Sequence, residues 1–380
     1  MNFENQWAIT EERLAREADS LGELLEALRS RISPILIGDD EWKRLVDRGR
    51  ELPATLAAYP FGLELPLHEQ RPGADLGVSV VGGTGPAAFF QRKARSESAD
   101  SYANGIARLL SETESEESAL RQIVGHKMML EYDVDTAPVG AHPEPGIFLR
   151  PAERPILGGD ASQRVADIGV VLDALTAAVG WNLDPSETRR AEEIYRALGP
   201  ATKIESFGAF PARERAIRLA VTGFRTSSDL MAFLHRAGWP GGHSFLAATL
   251  SRFEERSAFV NLGVNLDVLA EGLGPTLGLS VLAKDREPKD PGYWVDRPGQ
   301  WTPFMESLRD EGLGLEEKLT ALADWTRGPA TLFGKSGPFI LMRGIHHVKF
   351  VLAEDRFKQI KAYVFMLFLG TAFPGAGPSR

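Results

Sequence analysis

Hydrophobic and polar positions change their spacing in a regular order along the chain. Residues 1–60 read as helix, beginning with "MNFENQWAITEERLAREADSLGELLEALRSRI" as one amphipathic segment that puts Leu14, Leu21, Leu24, Leu25 and Leu28 on a single face. Trp7 and Trp42 are candidate core anchors of this region. "LGVSVVGGTG" (76–85) reads as a strand closed by glycines. The polar stretch "RKARSESADSYANG" (92–105) is poor in β-branched residues and is expected to be a surface loop, with a short helix near 114–124. "KMMLEYDVD" (127–135) alternates with period two, so Met129, Glu131, Asp133 and Asp135 point one way and Leu130, Tyr132 and Val134 the other. "TAPVGAHPEPG" turns the chain back into the strand "IFLR", and helices follow at 162–179 and 186–198. Pro185 suits the first turn of the second helix.

Beyond residue 200 the order repeats. "KIESFGAF" and "AIRLAVTGF" predict strands, then come helices near 227–237 and 243–256. "FVNLGVNLD" and "TLGLSVLAK" form another strand pair, followed by helices near 301–312 and 315–326. The last two strands lie in "RGIHHVKFVLAEDRFKQIKAYVFM" (343–366). Short connections between paired strands imply antiparallel hairpins, hence an α+β fold of mostly antiparallel sheets with helix pairs. "LEYDVD…PGIFLRP" and "LGVNLD…LGLSVLAK" occupy matching places, Asp135 against Asp267, which suggests two pseudo-repeated halves. The expected organisation is an N-terminal helical region (1–70), a first α+β half (71–200) and a second (201–380). Two open sheets fit this order, and so does a closed ββαα barrel like that of aromatic prenyltransferases.

Composition narrows the chemistry. With 380 residues, 43% hydrophobic and 25% charged, the chain is an ordinary globular one. A net charge of -9 argues against a nucleic-acid or anionic-membrane partner, both of which need a basic face. The absence of cysteine excludes disulfides, thiolate metal sites and thiol nucleophiles. The longest apolar run, "AYVFMLFLGTAF" (362–373), is too short to span a bilayer, and no apolar signal core opens the chain, so a cytoplasmic location is expected.

Two patterns carry candidate chemistry. In "GIHHVKFVL", His346 and His347 face opposite sides of a strand and cannot share one metal ion. His347, Lys349 and Val351 share a face, on which Ile345 is also expected. The returning strand adds Lys361 and Tyr363, giving a polar ladder that could contact an anionic or peptide ligand, or simply face solvent. Glu131, Asp133 and Asp135 form an acidic face, solvated or able to bind magnesium. No other motif survives inspection. "GKS" (334–336) lacks the upstream glycine of a phosphate loop and precedes a strand, and "GGTG" (82–85) is a turn. "GHSFL" (242–246) lacks the second glycine of a nucleophile elbow, which places Ser244 in a first helical turn.

Taken together, "AIRLAVTGF", "FLHRAGWPG", "FVNLGVNLD", "GLSVLAK", "EKLTALADW" and "GIHHVKFVL…QIKAYVFM" resemble a family of bacterial proteins that includes the paired precursor-peptide-binding proteins of crocagin biosynthesis. The resemblance covers residues 125–366 and departs at Lys127-Met128-Met129, where the family pattern has tryptophan. It implies a non-catalytic scaffold in ribosomal peptide natural-product biosynthesis, presenting a precursor peptide to separate modifying enzymes, with a homodimer as a further possibility. No catalytic residue, metal or cofactor carries over. On this reading Glu131, Asp133, Arg218, His347, Lys349, Lys361 and Tyr363 are the peptide-binding residues, and replacing Lys349 and Lys361 should hardly alter stability. The alternative is an enzyme, a peptide cyclase or prenyltransferase-like barrel. Its interior would hold Arg218, Lys349, Lys361 and Tyr363 against a diphosphate, with magnesium as the accompanying ion.

Overall fold

A computed structural model describes residues 3–96, 100–135, 143–159, 161–284, 296, 299–325 and 328–370. The N-terminal region holds three helices, α1 (Phe3–Glu17), α2 (Leu21–Leu28) and α3 (Asp39–Arg50). The expected single amphipathic segment is therefore two helices. Ser20 breaks it by accepting a hydrogen bond from the Glu23 amide at 3.3 Å, as an N-cap does. The five leucines are nonetheless all buried.

Strands β1 (Phe61–Pro66) and β2 (Asp75–Val81) follow, then helices α4 (Gly85–Ala94), α5 (Ser101–Glu114) and α6 (Ala119–Val124). The expected loop at 92–105 is thus partly helical. Asp100 caps α5 by accepting from the Ala103 amide at 2.6 Å, and Tyr102, Ile106, Leu109 and Leu110 give that helix a buried face. Next come β3 (Lys127–Tyr132), β4 (Gly146–Leu149), the short β5 (Ile156–Leu157), α7 (Ala161–Ala178) and α8 (Pro185–Arg196). Most of the expected turn "TAPVGAHPEPG" lies outside the described residues. The remainder is β6 (Lys203–Ala209), β7 (Ile217–Phe224), α9 (Ser227–Ala237), α10 (His243–Glu255), β8 (Asn261–Leu269), β9 (Gly272–Leu282), α11 (Thr302–Asp310), α12 (Glu316–Trp325), β10 (Ala330–Gly334), β11 (Gly337–Ala353) and β12 (Arg356–Gly370).

Every pairing is antiparallel. Neighbours run β11-β12-β1-β2-β3-β4-β6-β7-β8-β9, and β9 pairs back onto β11, closing ten strands into a barrel. β10 extends β11 beyond the barrel wall and β5 adds to β6. The α+β class holds, with the barrel closure rather than two open sheets. The repeating unit is a strand pair followed by a helix pair, as in β3-β4-α7-α8, β6-β7-α9-α10 and β8-β9-α11-α12. The spacing between "LEYDVD" and "LGVNLD" is two consecutive units of this kind. β1 falls inside the 1–70 span read as helical, and the boundary at residue 200 falls between α8 and β6 of one continuous sheet.

Alternation along the strands decides which side is which. Met128, Leu130 and Tyr132 of β3 are buried, as are Leu76, Val78 and Val80 of β2 and Val348, Phe350 and Leu352 of β11. These face the helices, in one continuous apolar layer with Leu172, Phe233, Phe253 and Phe304. The intervening residues, many of them charged, face the lumen. Among the described residues no helix is long and apolar enough to cross a membrane.

The helix layer is packed closely enough to test. A Cβ on Gly105 of α5 would overlap the carbonyl oxygen of Ala178 in α7. Alanine is the better helix former by about 1 kcal/mol. Gly105→Ala should nevertheless destabilise the protein by about 1–3 kcal/mol in urea unfolding, because two helices must part; a stabilised variant would contradict this packing.

Candidate functional site

The lumen is built from the inward set of each strand. Register places Gly62, Gly77, Glu131 and Gly146 side by side across β1 to β4. Of the three glycines around this carboxylate, Gly77 leaves open space, since a Cβ there would meet nothing within 4 Å, whereas a Cβ on Gly62 would meet the Val364 carbonyl oxygen and one on Gly146 the Phe210 ring. Glu64, the next inward residue of β1, lies opposite Asp75 on one side and Tyr363 on the other. Lys361 of β12 answers both acids, with Nζ 3.1 Å from Asp75 Oδ2 and 3.5 Å from Glu64 Oε2. Glu64, Asp75 and Glu131 are all buried.

The polar ladder forms as expected, with His347 opposite Tyr363 and Lys349 opposite Lys361. It lines the lumen instead of an outer face. A bulge between Ile345 and His347 shifts the alternation, so Ile345 joins Val348 in the outer core and does not share the face of His347. The His347 ring stacks on Tyr363 at 4.2 Å, and His346 and His347 approach through their Nδ1 atoms at 2.7 Å. Lys349 Nζ lies 5.6 Å from the centroid of the Tyr363 ring. A Cβ on Gly278 would come 2.7 Å from Lys349 Cε, so glycine at that point of β9 lets the lysine stem pass.

All seven expected site residues come together here. Arg218 pairs with Asp267 directly across β7 and β8, Nε to Oδ1 at 2.8 Å and Nη2 to Oδ2 at 3.1 Å. Glu131 and Asp133 are both bound by Arg213, from the turn between β6 and β7. Asp135 leaves this group: Arg71 donates to it at 2.7 Å and Arg44 lies 3.6 Å away. The expected acidic face is therefore neutralised by arginines, which engage both oxygens of Asp133 and one each of Glu131 and Asp135. At the opposite end of the barrel, Lys203 and Arg150 share Glu205.

Sequence reading missed Glu64, Asp75 and Arg213. Glu64 gave a signal, as the single charged residue in the alternating "FGLELP", inside a region read as helix. Arg213 gave none, because a turn has no period.

Two lysines of the inward set, Lys349 and Lys127, have no carboxylate within ion-pair distance among the described residues. Burial and the Arg218 charge lower Lys349 to about 8, with Glu64 and Glu131 opposing. Burial and Arg150 bring Lys127 to about 8 as well. Burial and the Glu131 charge push Glu64 up to about 7, against the pull of Lys361 and Lys349. Tyr363, buried and donating to Glu64, is raised well above its ordinary value, while the acids around Lys361 outweigh its burial and raise it.

No protein-family model and no curated protein matches the chain. The resemblance to crocagin peptide-binding proteins has no support from sequence comparison. Similarity of structure runs to aromatic prenyltransferases. The apo form of prenyltransferase PriB aligns with a TM-score of 0.50 and 14% identity over 90% of this chain and 95% of that one. A 6-dimethylallyl tryptophan synthase gives 0.50 and 13% over 90% and 96%. The 6-dimethylallyltryptophan synthase from Micromonospora olivasterospora gives 0.45 and 13% over 82% of each chain. At these identities the two alignments that reach a TM-score of 0.50 show a shared fold and nothing more.

Stability should separate the two ladder lysines. Lys361→Met strands two buried carboxylates and should cost about 3–5 kcal/mol in chemical denaturation. Lys349→Met removes a cation that burial disfavours, so at neutral pH it should leave stability unchanged or raise it. The expectation that both are dispensable is therefore replaced by an asymmetric one. The pH signature follows from the same groups. Between its ordinary 4.5 and about 7, Glu64 holds a proton in the folded state that the unfolded chain releases, so its contribution falls as pH rises. Between about 8 and 10.5 the unfolded chain keeps the proton that folded Lys349 has lost, so stability rises with pH there. Glu64→Gln and Lys349→Met should each flatten its own window in a stability–pH curve.

Proposed function

We propose that the protein is a prenyltransferase-like enzyme, transferring an allylic group from its diphosphate to an electron-rich acceptor inside the barrel. The observation that carries this reading is the juxtaposition in one lumen of Lys349, a cation without an ion-pair partner, and Glu64, a carboxylate held near neutrality. The shared barrel fold is compatible with it and adds no residue-level claim.

In this reading the allylic C–O bond breaks and the diphosphate leaves with the electron pair. Lys349, as ammonium, stabilises the charge that develops on the leaving group. The acceptor's π electrons form the new bond to the allylic carbon, and the proton displaced from the acceptor passes to Glu64 and then to water. Tyr363, donating to Glu64, orients that carboxylate. The precursor peptide expected from the sequence enters here as the carrier of the acceptor side chain rather than as passive cargo. Among the lumen's other cations, Arg218, Lys361 and Arg213 are engaged with carboxylates, and Lys127, though unpaired among the described residues, has Arg150 and not Glu64 as its charged neighbour, which favours Lys349 for a phosphoryl oxygen.

The test combines binding and turnover. Calorimetry with inorganic diphosphate should show binding that Lys349→Ala weakens about 10–100-fold, the loss of a charge-assisted contact. With dimethylallyl diphosphate and tryptophan-containing peptides, Glu64→Gln should lower kcat about 10²–10⁴-fold. The pH profile of kcat/KM should be a narrow bell, rising through about 7 as Glu64 ionises and falling through about 8 as Lys349 loses its proton. Lys349→Arg should extend the alkaline limb. Tight peptide binding with no diphosphate binding and no turnover would return the protein to the scaffold reading.

A further inference from the structure

Two carboxylates, not one, stand near the open space at Gly77. Glu131 lies opposite Gly77, Gly77 lies opposite Gly62, and Glu64 is the next inward residue of β1. Either could take a proton from an acceptor lying there. We propose that Arg213 occupies Glu131 and so leaves Glu64 as the proton acceptor of the lumen. This makes Arg213 a positioning residue, and the inference rests on the transfer reaction proposed above.

The geometry is specific. Arg213 Nη2 donates to Glu131 Oε1 at 2.9 Å, its Nε donates to Asp133 Oδ2 at 2.7 Å, and a further bond joins Asp133 Oδ1. The guanidinium lies 3.9 Å from the centroid of the Phe210 ring, and that ring fills the space a Cβ on Gly146 would need. Arg215, two residues on, is aimed the opposite way. It forks the fully buried Glu187 of α8, donates to the Asn182 carbonyl at 2.8 Å and lies 5.3 Å from the Trp181 ring. The turn is thus pinned to the helix layer on one side and to the lumen on the other. Arg213 is held in place without any ligand.

Glu64 has no such clamp. Lys361 and Tyr363 reach it from β12, Asp75 from β2, and Lys349 acts on it from β11. Lys361 lies closer to Asp75 than to Glu64, 3.1 against 3.5 Å. Around Glu131 the titratable and charged groups are Glu64, Lys349, Lys361, Tyr363 and Arg218, with Arg213 in direct contact. Burial and Glu131's charge, the two largest influences on Glu64, both favour its neutral form. A fixed neighbour and a proton-exchanging partner are different tasks, and Arg213 divides them.

Infrared difference titration of the carboxyl stretch, on the full chain without substrate, tests this directly. In the unaltered protein one carboxyl should titrate near neutral pH. The signal should vanish in Glu64→Gln, and persist in Glu131→Gln at a pH lower by about one unit as the neighbouring charge is removed. Arg213→Gln should add a second near-neutral carboxyl, absent when Glu131→Gln is combined with it, and Arg213→Lys should restore the single signal. A signal lost in Glu131→Gln instead of Glu64→Gln would overturn the assignment. So would an Arg213→Gln titration identical to that of the unaltered protein. Should Arg213→Gln fail to fold, the Glu64 and Glu131 variants decide the matter by themselves. Because no substrate is present, failure of the proposed transfer reaction would show in turnover assays and leave this titration readable.

Discussion

The sense of the strand pleat governs this structure. A sheet whose apolar face looks outward can bury that face only under a surrounding layer of helices, and its polar face then has nowhere to go but inward. Closure by β12 on β1 and by β9 on β11 makes that arrangement self-consistent, since a closed sheet has no edges in its wall. The helix pairs between strand pairs are the other half of the same solution. Together they cover the outer face, Phe253 of α10 and Phe304 of α11 lying against Phe350 of β11 with ring centroids 5.7 and 6.2 Å apart.

An inward polar face must be neutralised group by group, and the lumen shows how. Most of its cations have a carboxylate in contact: Arg218 with Asp267, Lys361 with Asp75 and Glu64, Arg213 with Glu131 and Asp133. Such pairs offset the cost of taking charge out of water and fix the positions of their members. Lys349 and Lys127 are exceptions among the described residues, and an exception inside a low-dielectric space is where a ligand's charge has most effect. The barrel supplies walls, and the few unmatched groups supply chemistry.

Much of the fold is legible in the sequence because period two and period 3.6 are both clear. The strand pairs, the helix pairs between them and the terminal hairpin with Lys349 opposite Lys361 follow from pattern alone. Inside and outside are not legible in that way. A strand alternating Val, Lys and Phe looks the same whether its lysine faces bulk water or a lumen, so the ladder read as a possible solvent face. The bulge beside His346 also leaves no mark in composition, and it moves Ile345 across the sheet. Arg213 lies beyond pattern reading altogether, since its role depends on a turn folded against the end of β3, and Asp133, just past that strand, is 80 residues away in the sequence.

Closure also has a temporal side. The first strand of the barrel pairs with the last, Phe61 with Met366 and Glu64 with Tyr363. During synthesis β1 exists long before its second partner, and the loop that must close is most of the chain, an entropic cost that slows formation of such contacts. The growing chain therefore passes through a state in which β1 shows one unpaired row of amides and carbonyls. The N-terminal helices are available at that stage, with Tyr59 bonded to Glu11 at 2.7 Å just before β1 and Ser20 bridged to Pro53. They hold the approach to β1 in a fixed orientation, so that the strand made last docks onto a prepared edge and not onto a loose one.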